Sequence, residues 1–102
     1  RNTAPAIALA VSYLREKSGL GEYEPVAILP ADHFVEDAEA FQKAITLAGE
    51  LARQGFISTL GIRPNKPETV YGYIRLQDSE DKAWCLADAF VEKPDAETAQ
   101  AY

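Results

Sequence analysis

A few positions carry side chains whose chemistry could be put to use. Asp32 follows the apolar run Val26-Ala27-Ile28-Leu29 after only Pro30 and Ala31, and His33, the one histidine, adjoins it. Glu92 and Lys93 stand side by side after a second patterned run. A magnesium ion carried by a nucleotide needs only one or two protein carboxylates, because phosphates and water supply its other ligands. Asp32 alone could serve that role, or it could be the polar residue of a turn leading into a helix. Lys93 precedes Pro94, which favours extended backbone at position 93 and so would fix where the ammonium points. A point charge held this way suits a monophosphate; the alternative is a solvated lysine at a strand end. His33 has no partner carboxylate beyond its neighbours and reads as structural rather than as a general base. Gly72 lies between Tyr71 and Tyr73 inside an alternating run, where glycine implies either the close approach of a ligand or backbone, or a bulge. No Ser-His-Asp arrangement, metal cluster or phosphate-cradling glycine loop accompanies these residues.

In open α/β sheets ligands bind beyond the carboxyl ends of the strands, so these residues depend on the elements before them. Ile7, Ala10, Val11 and Leu14 recur at helical spacing behind Thr3 and Pro5, which predicts a helix over residues 4–17 with Thr3 as N-cap and Gly19 and Gly21 at its end. Pro25 to Pro30 encloses an apolar run too short for a helix, which predicts a buried parallel strand. Asp37 is placed to cap a second helix whose stripe is Phe41, Ala44, Ile45, Ala48, Leu51 and Ala52, with Gly55 as its stop. Residues 56–62 then read as another strand, joined to the first by a right-handed crossover. Pro64, Asn65, Lys66 and Pro67 form a stiff loop. Two alternating runs follow, Tyr71 to Leu76 and Trp84 to Phe90, separated by polar residues and expected as antiparallel neighbours; Asp95 onward reads as a helix.

Composition narrows the classes of function. The chain has 102 residues and a formal net charge of −6, which leaves no basic surface for DNA or RNA. At this size a domain buries only roughly two-thirds of its unfolded-chain surface. The single cysteine, Cys85, excludes an internal disulfide and fits a reducing compartment. No apolar run approaches the roughly 20 residues that span a bilayer, so no membrane association is expected. Arg1 at the start and a helix stopped in mid-course at the end predict missing sequence on both sides.

Four strings then fall into one order. Arg1-Asn2-Thr3-Ala4-Pro5-Ala6, Leu29-Pro30-Ala31-Asp32-His33, Pro67-Glu68-Thr69 with Tyr71-Gly72-Tyr73-Ile74, and Phe90-Val91-Glu92-Lys93-Pro94-Asp95 resemble bacterial mannose-1-phosphate guanylyltransferases. The resemblance covers essentially the whole chain and implies an α/β class: a Rossmann-like nucleotidyltransferase fold with a mixed, mostly parallel sheet flanked by helices. Residues 1–102 would be the central part of that domain, truncated at both ends. It implies transfer of a guanylyl group from GTP to mannose 1-phosphate, giving GDP-mannose and pyrophosphate, with Mg2+ as cofactor and a cytoplasmic location. By the same resemblance Arg1, Asn2 and Thr3 lie near the nucleotide base. Asp32 holds the metal, Tyr71 and Gly72 line the sugar pocket, Glu92 contacts sugar hydroxyls, and Lys93 contacts the sugar phosphate.

Two departures accompany the match. The family's glycine-rich triphosphate loop is absent from these 102 residues, so this piece alone is expected to be inactive. Val70 stands where the family usually has glycine, adding bulk beside the implied sugar pocket and leaving room for a relative that uses another nucleotide or hexose phosphate. A non-catalytic domain that retains the fold to bind a sugar nucleotide is the alternative of a different class. Unpaired sheet edges in such a piece predict self-association, and the whole protein could be a homo-oligomer.

Overall fold

The computed structural model describes residues 3–77 and 83–101, the last by its backbone alone. The elements run α1 (Thr3–Ser18), α2 (Ala38–Arg53), β1 (Tyr73–Leu76), β2 (Ala87–Val91) and α3 (Ala96–Ala101). They fall into two compact units, Arg1–Leu60 with α1 and α2, and Gly61–Tyr102 with the remainder.

In the first unit the helices follow the predicted stripes. Ile7, Val11 and Leu14 of α1 are half-buried, whereas Ala10 is exposed. Thr3 is itself the first helical residue rather than the cap. Gly19 takes the left-handed conformation with φ +64°, and the Leu20 N–H donates to the Leu14 carbonyl at 3.4 Å, so the chain turns away there. All six predicted stripe residues of α2 are half-buried, and no other described helix carries so clean a face. Asp37 caps α2, its side chain accepting from the Ala40 N–H at 2.9 Å. At the other end Gly55 has φ +92°; its N–H donates to the Ala52 carbonyl and the Phe56 N–H to the Leu51 carbonyl, the paired bonds of a Schellman motif. Ser58 adds a third tie, its hydroxyl donating to the Ala48 carbonyl at 3.3 Å.

The two expected parallel strands are not formed. Residues 25–30 and 56–62 have irregular backbone, and the sheet among the described residues is a two-stranded antiparallel pair, β1 with β2. Nor are they buried: Ile28, Leu29, Phe56 and Ile62 are exposed, and Ile57 is fully so at 102%. A strand exists only through the neighbour whose N–H and C=O groups it pairs with, and among the described residues the one ladder formed is β1 with β2. An apolar run records a demand for cover without naming what supplies it.

In the second unit β1 and β2 pair in the register Tyr73↔Val91, Ile74↔Phe90 and Arg75↔Ala89, with an irregularity between Arg75 and Leu76. The Gln77 N–H donates to the Leu86 carbonyl at 2.9 Å and carries the ladder one step further. Of β2, Ala89 and Val91 are half-buried, whereas Asp88 and Phe90 are exposed. Beside the irregularity Arg75 grips Asp88, with Nη2 and Nε at 2.6 and 2.7 Å from Oδ2. The buried residues here are Tyr73, Pro94 and Ala99. Asp95 caps α3: its carboxylate accepts from the Thr98 N–H at 2.8 Å and its carbonyl from the Ala99 N–H. Hydrogen bonds from the Thr98 side chain and from its N–H hold the Asp95 pKa below the ordinary carboxylate value.

Replacing Asp37 by alanine leaves the first-turn N–H groups of α2 without their acceptor. The expected destabilisation is about 1 kcal/mol, read as a lower midpoint in urea unfolding with an unchanged slope. Serine at the same position is expected to restore most of it.

Candidate functional site

The end of the β1–β2 ladder gathers four of the residues singled out from the sequence. Val91, the last residue of β2, pairs with Tyr73, the first of β1, so the same antiparallel register carried one step outward sets Gly72 opposite Glu92. A Cβ built on Gly72 would lie 3.2 Å from Glu92 Oε2 and 3.6 Å from the Val91 carbonyl oxygen. The carboxylate therefore folds back over the glycine. Its other oxygen, Oε1, is 3.6 Å from Lys93 Nζ, and both side chains are largely exposed, at 77% and 66%. Tyr71, on the far side of Gly72, is exposed as well.

Lys93 departs from its expected backbone. Its φ is +44°, the left-handed region, where the proline that follows was grounds for an extended residue. Placing a side chain there costs roughly 1–2 kcal/mol, and such strain persists only where the surroundings over-determine it. Here β2 ends at Val91 on one side and Pro94 is buried on the other, so the turn is confined to Glu92 and Lys93. Gly72 needs no such freedom, since the positive-φ glycines are Gly19 and Gly55. The ladder irregularity falls at Arg75 and Leu76, which also removes the bulge reading of Gly72.

Asp32 belongs to the first unit, exposed in a bend between residues 25–30 and the Asp37 cap. His33 is exposed beside it, not the structural histidine expected from the sequence. No group of three or more His, Cys, Asp or Glu side chains converges on one point among the described residues. Thr3 is exposed at the start of α1, while Arg1 and Asn2 lie outside the described residues. Two shallow hollows occur away from all of these. One of about 360 Å³ follows the polar side of α2 from Glu39 to Glu50, and one of about 240 Å³ lies between Pro64–Pro67 and Ala99–Gln100.

The sequence reading missed a clasp beside the site. The Tyr73 hydroxyl accepts from the Glu68 N–H at 2.8 Å, and the Glu68 carboxylate holds Lys66 Nζ at 2.7 Å. Tyr73, 8% exposed, thus ties the proline-bounded loop to the first residue of β1. Alternation had marked Tyr73 as a strand residue, but no local pattern shows where its hydroxyl ends.

The family model for nucleotidyl transferases matches residues 1–102. The chain belongs to that family. Among curated relatives, a mannose-1-phosphate guanylyltransferase of Escherichia coli K12 is 46% identical over 107 residues, and the xanthan biosynthesis protein XanB of Xanthomonas campestris 45% over 103. Each match takes in 100% of this chain but 22% and 21% of the relative, so the chain spans about a fifth of their length. A crystal structure from Thermus thermophilus, described as a mannose-1-phosphate geranyltransferase, superposes with a TM-score of 0.84 at 45% identity, covering 100% of this chain and 29% of that one. The α/β nucleotidyltransferase fold class expected from the sequence therefore holds, even though the described residues of this nucleotidyl transferase segment pair only two strands. No helix among the described residues is long and apolar enough to cross a membrane.

The clasp has a pH dependence. The hydrogen bond and charge of Glu68 hold the Lys66 pKa above the ordinary lysine value. A raised lysine pKa contributes stability that is fully present below the ordinary value and is lost as pH rises through the raised one, so loss of the lysine charge weakens the clasp in strong alkali. In a nitrogen-detected NMR titration, Lys66 is expected to titrate above the ordinary lysine value, and Glu68→Gln to bring it back toward that value.

Proposed function

We propose that the full-length protein transfers a guanylyl group from GTP to mannose 1-phosphate, giving GDP-mannose and pyrophosphate. The observation that carries this reading is the arrangement of Gly72, Glu92 and Lys93 at one end of the ladder, in a chain about 45% identical to proteins bearing that name. Lys93 brings an exposed ammonium on a confined backbone, suited to the phosphate of the sugar. Glu92 offers carboxylate oxygens to sugar hydroxyls, with Tyr71 and Gly72 beside it, and Arg1 to Thr3 serve the nucleotide base. Asp32, exposed in its bend, contributes one oxygen ligand to magnesium carried by the nucleotide. Magnesium, when bound, neutralises phosphate charge.

The reaction needs no covalent intermediate on the protein. A phosphate oxygen of mannose 1-phosphate attacks the α-phosphorus of GTP in line; the new P–O bond forms as the bond to the bridging oxygen of pyrophosphate breaks. The residues of this chain bind and orient the acceptor, and rate comes from alignment and balanced charge. The protein acts in the cytoplasm. Val70, exposed where the family usually has glycine, supports a second reading: the same reaction class with a different hexose 1-phosphate or nucleotide.

Pyrophosphate release by the full-length protein with magnesium, across GTP, ATP, UTP and dTTP against mannose and glucose 1-phosphates, tests this. GTP with mannose 1-phosphate is expected to dominate, and Asp32→Asn to lower kcat by about two orders of magnitude, the scale for losing one preorganised charge-stabilising group. Activity that survives the substitution would return Asp32 to being a turn residue. No activity with any pair would leave a binding domain.

We also propose that this 102-residue segment, taken by itself, self-associates. Among the described residues β1 and β2 each pair on one side only, and large apolar side chains such as Phe34 and Ile62 stand exposed. Light scattering of the segment over a concentration series is expected to give more than the mass of one chain; a monodisperse monomer throughout would overturn this.

A further inference from the structure

Gly72 is glycine for a reason that is steric and not conformational. Its backbone is outside the left-handed region, so alanine could adopt the same φ and ψ. What a side chain would meet is the Glu92 carboxylate, whose Oε2 would lie 3.2 Å from the new Cβ, tighter than ordinary van der Waals contact, so the carboxylate would have to give by a few tenths of an ångström; the Val91 carbonyl oxygen lies behind it at 3.6 Å, in ordinary contact. Directly opposed residues of an antiparallel pair normally point their side chains to the same face with Cβ atoms about 5 Å apart, so each restricts the other. A glycine on one side frees that space, and Glu92 uses it by lying across the strand end.

The consequence runs on to Lys93. With Oε2 over Gly72, Oε1 is the oxygen turned toward the Lys93 ammonium at 3.6 Å, and the left-handed turn at Lys93 brings that ammonium round. A separation of 3.6 Å is longer than a hydrogen-bonded ion pair, so the ammonium is steered by the carboxylate without being saturated by it. Filling the space at 72 would shift the carboxylate by a few tenths of an ångström and with it the carboxylate–ammonium separation next to it.

We propose that Gly72 is a positioning residue that acts through Glu92: its missing side chain is the space that holds the carboxylate, and this fixes the paired carboxylate and ammonium that receive a polyhydroxyl phosphate. The substrate class rests on the reading of Glu92 and Lys93 as sugar-phosphate contacts given above. The role of Gly72 toward Glu92 rests on the ladder register and the close approach alone.

The test is a cycle in the full-length protein of Gly72→Ala, Glu92→Ala and the pair. Gly72→Ala alone is expected to raise KM for mannose 1-phosphate about tenfold while KM for GTP stays within about twofold, the pattern of a displaced contact group. In the Glu92→Ala background the same alanine is expected to have no further effect, because the group it displaces is gone. An effect of Gly72→Ala that persists in full without Glu92 would overturn the proposal and assign Gly72 a direct contact. If Glu92→Ala itself leaves KM for the sugar phosphate unchanged, the reading of the site is what fails. The crystal structure of the full-length Gly72→Ala protein still decides the positioning role: a Glu92 carboxylate shifted from its place at the strand end supports it, and one left in place overturns it.

Discussion

The register of two short antiparallel strands decides most of what the second unit can do. With Tyr73 opposite Val91, Gly72 must face Glu92, Arg75 must flank Ala89 within reach of Asp88, and the Tyr73 side chain must turn to the buried side. A slip of one residue would reverse every one of these, because side chains alternate across a strand with a period of two. The Arg75–Asp88 pair is exposed and worth little on its own. Its two-point geometry nevertheless favours one register over its neighbours, and the buried Tyr73, bonded to the Glu68 N–H, would lose that bond in any other.

From that register the chemistry of the ladder end follows with few additional elements. β2 stops at Val91, Pro94 is buried, and the two residues between must turn within a short span, which leaves Lys93 at a φ that side chains avoid. The strain is local and is held by what flanks it on both sides, including the Asp95 cap that starts α3 one residue after the proline. A carboxylate and an ammonium on adjacent residues would ordinarily diverge. Here the turn and the vacant glycine position bring them to 3.6 Å.

The first unit is organised differently, by helix ends instead of strand pairing. The Asp37 cap and the Gly55 Schellman motif set both limits of α2, and the amphipathic stripe between them decides which side of it is covered. Asp32 lies five residues before that cap in a stretch with no ladder to hold it. Its place is set by the chain leading into α2 and by nothing comparable to the Gly72–Glu92 contact. The residues proposed to act thus rest on different physics: Asp32 on the chain entering a capped helix, and Gly72, Glu92 and Lys93 on a paired strand end.

Helices, their limits and the family were legible in the sequence because they depend on local chemistry. Periodicity located α1 and α2, Asp37 and Gly55 marked ends that proved to be a cap and a Schellman glycine, and four motif strings in order pointed to the nucleotidyl transferases. Alternation also located the two antiparallel runs, but not which residues of β2 are covered, since Ala89 and Val91 are half-buried and the larger Phe90 is exposed. The runs at 25–30 and 56–62 were apolar enough to be strands, yet strands require partners, and pairing is not a property of one segment. The left-handed Lys93, the tyrosine that clasps a loop and the carboxylate lying on Gly72 were settled only by tertiary structure. Each joins residues through a register or a turn, and a linear pattern carries no information about which atoms a register brings into contact.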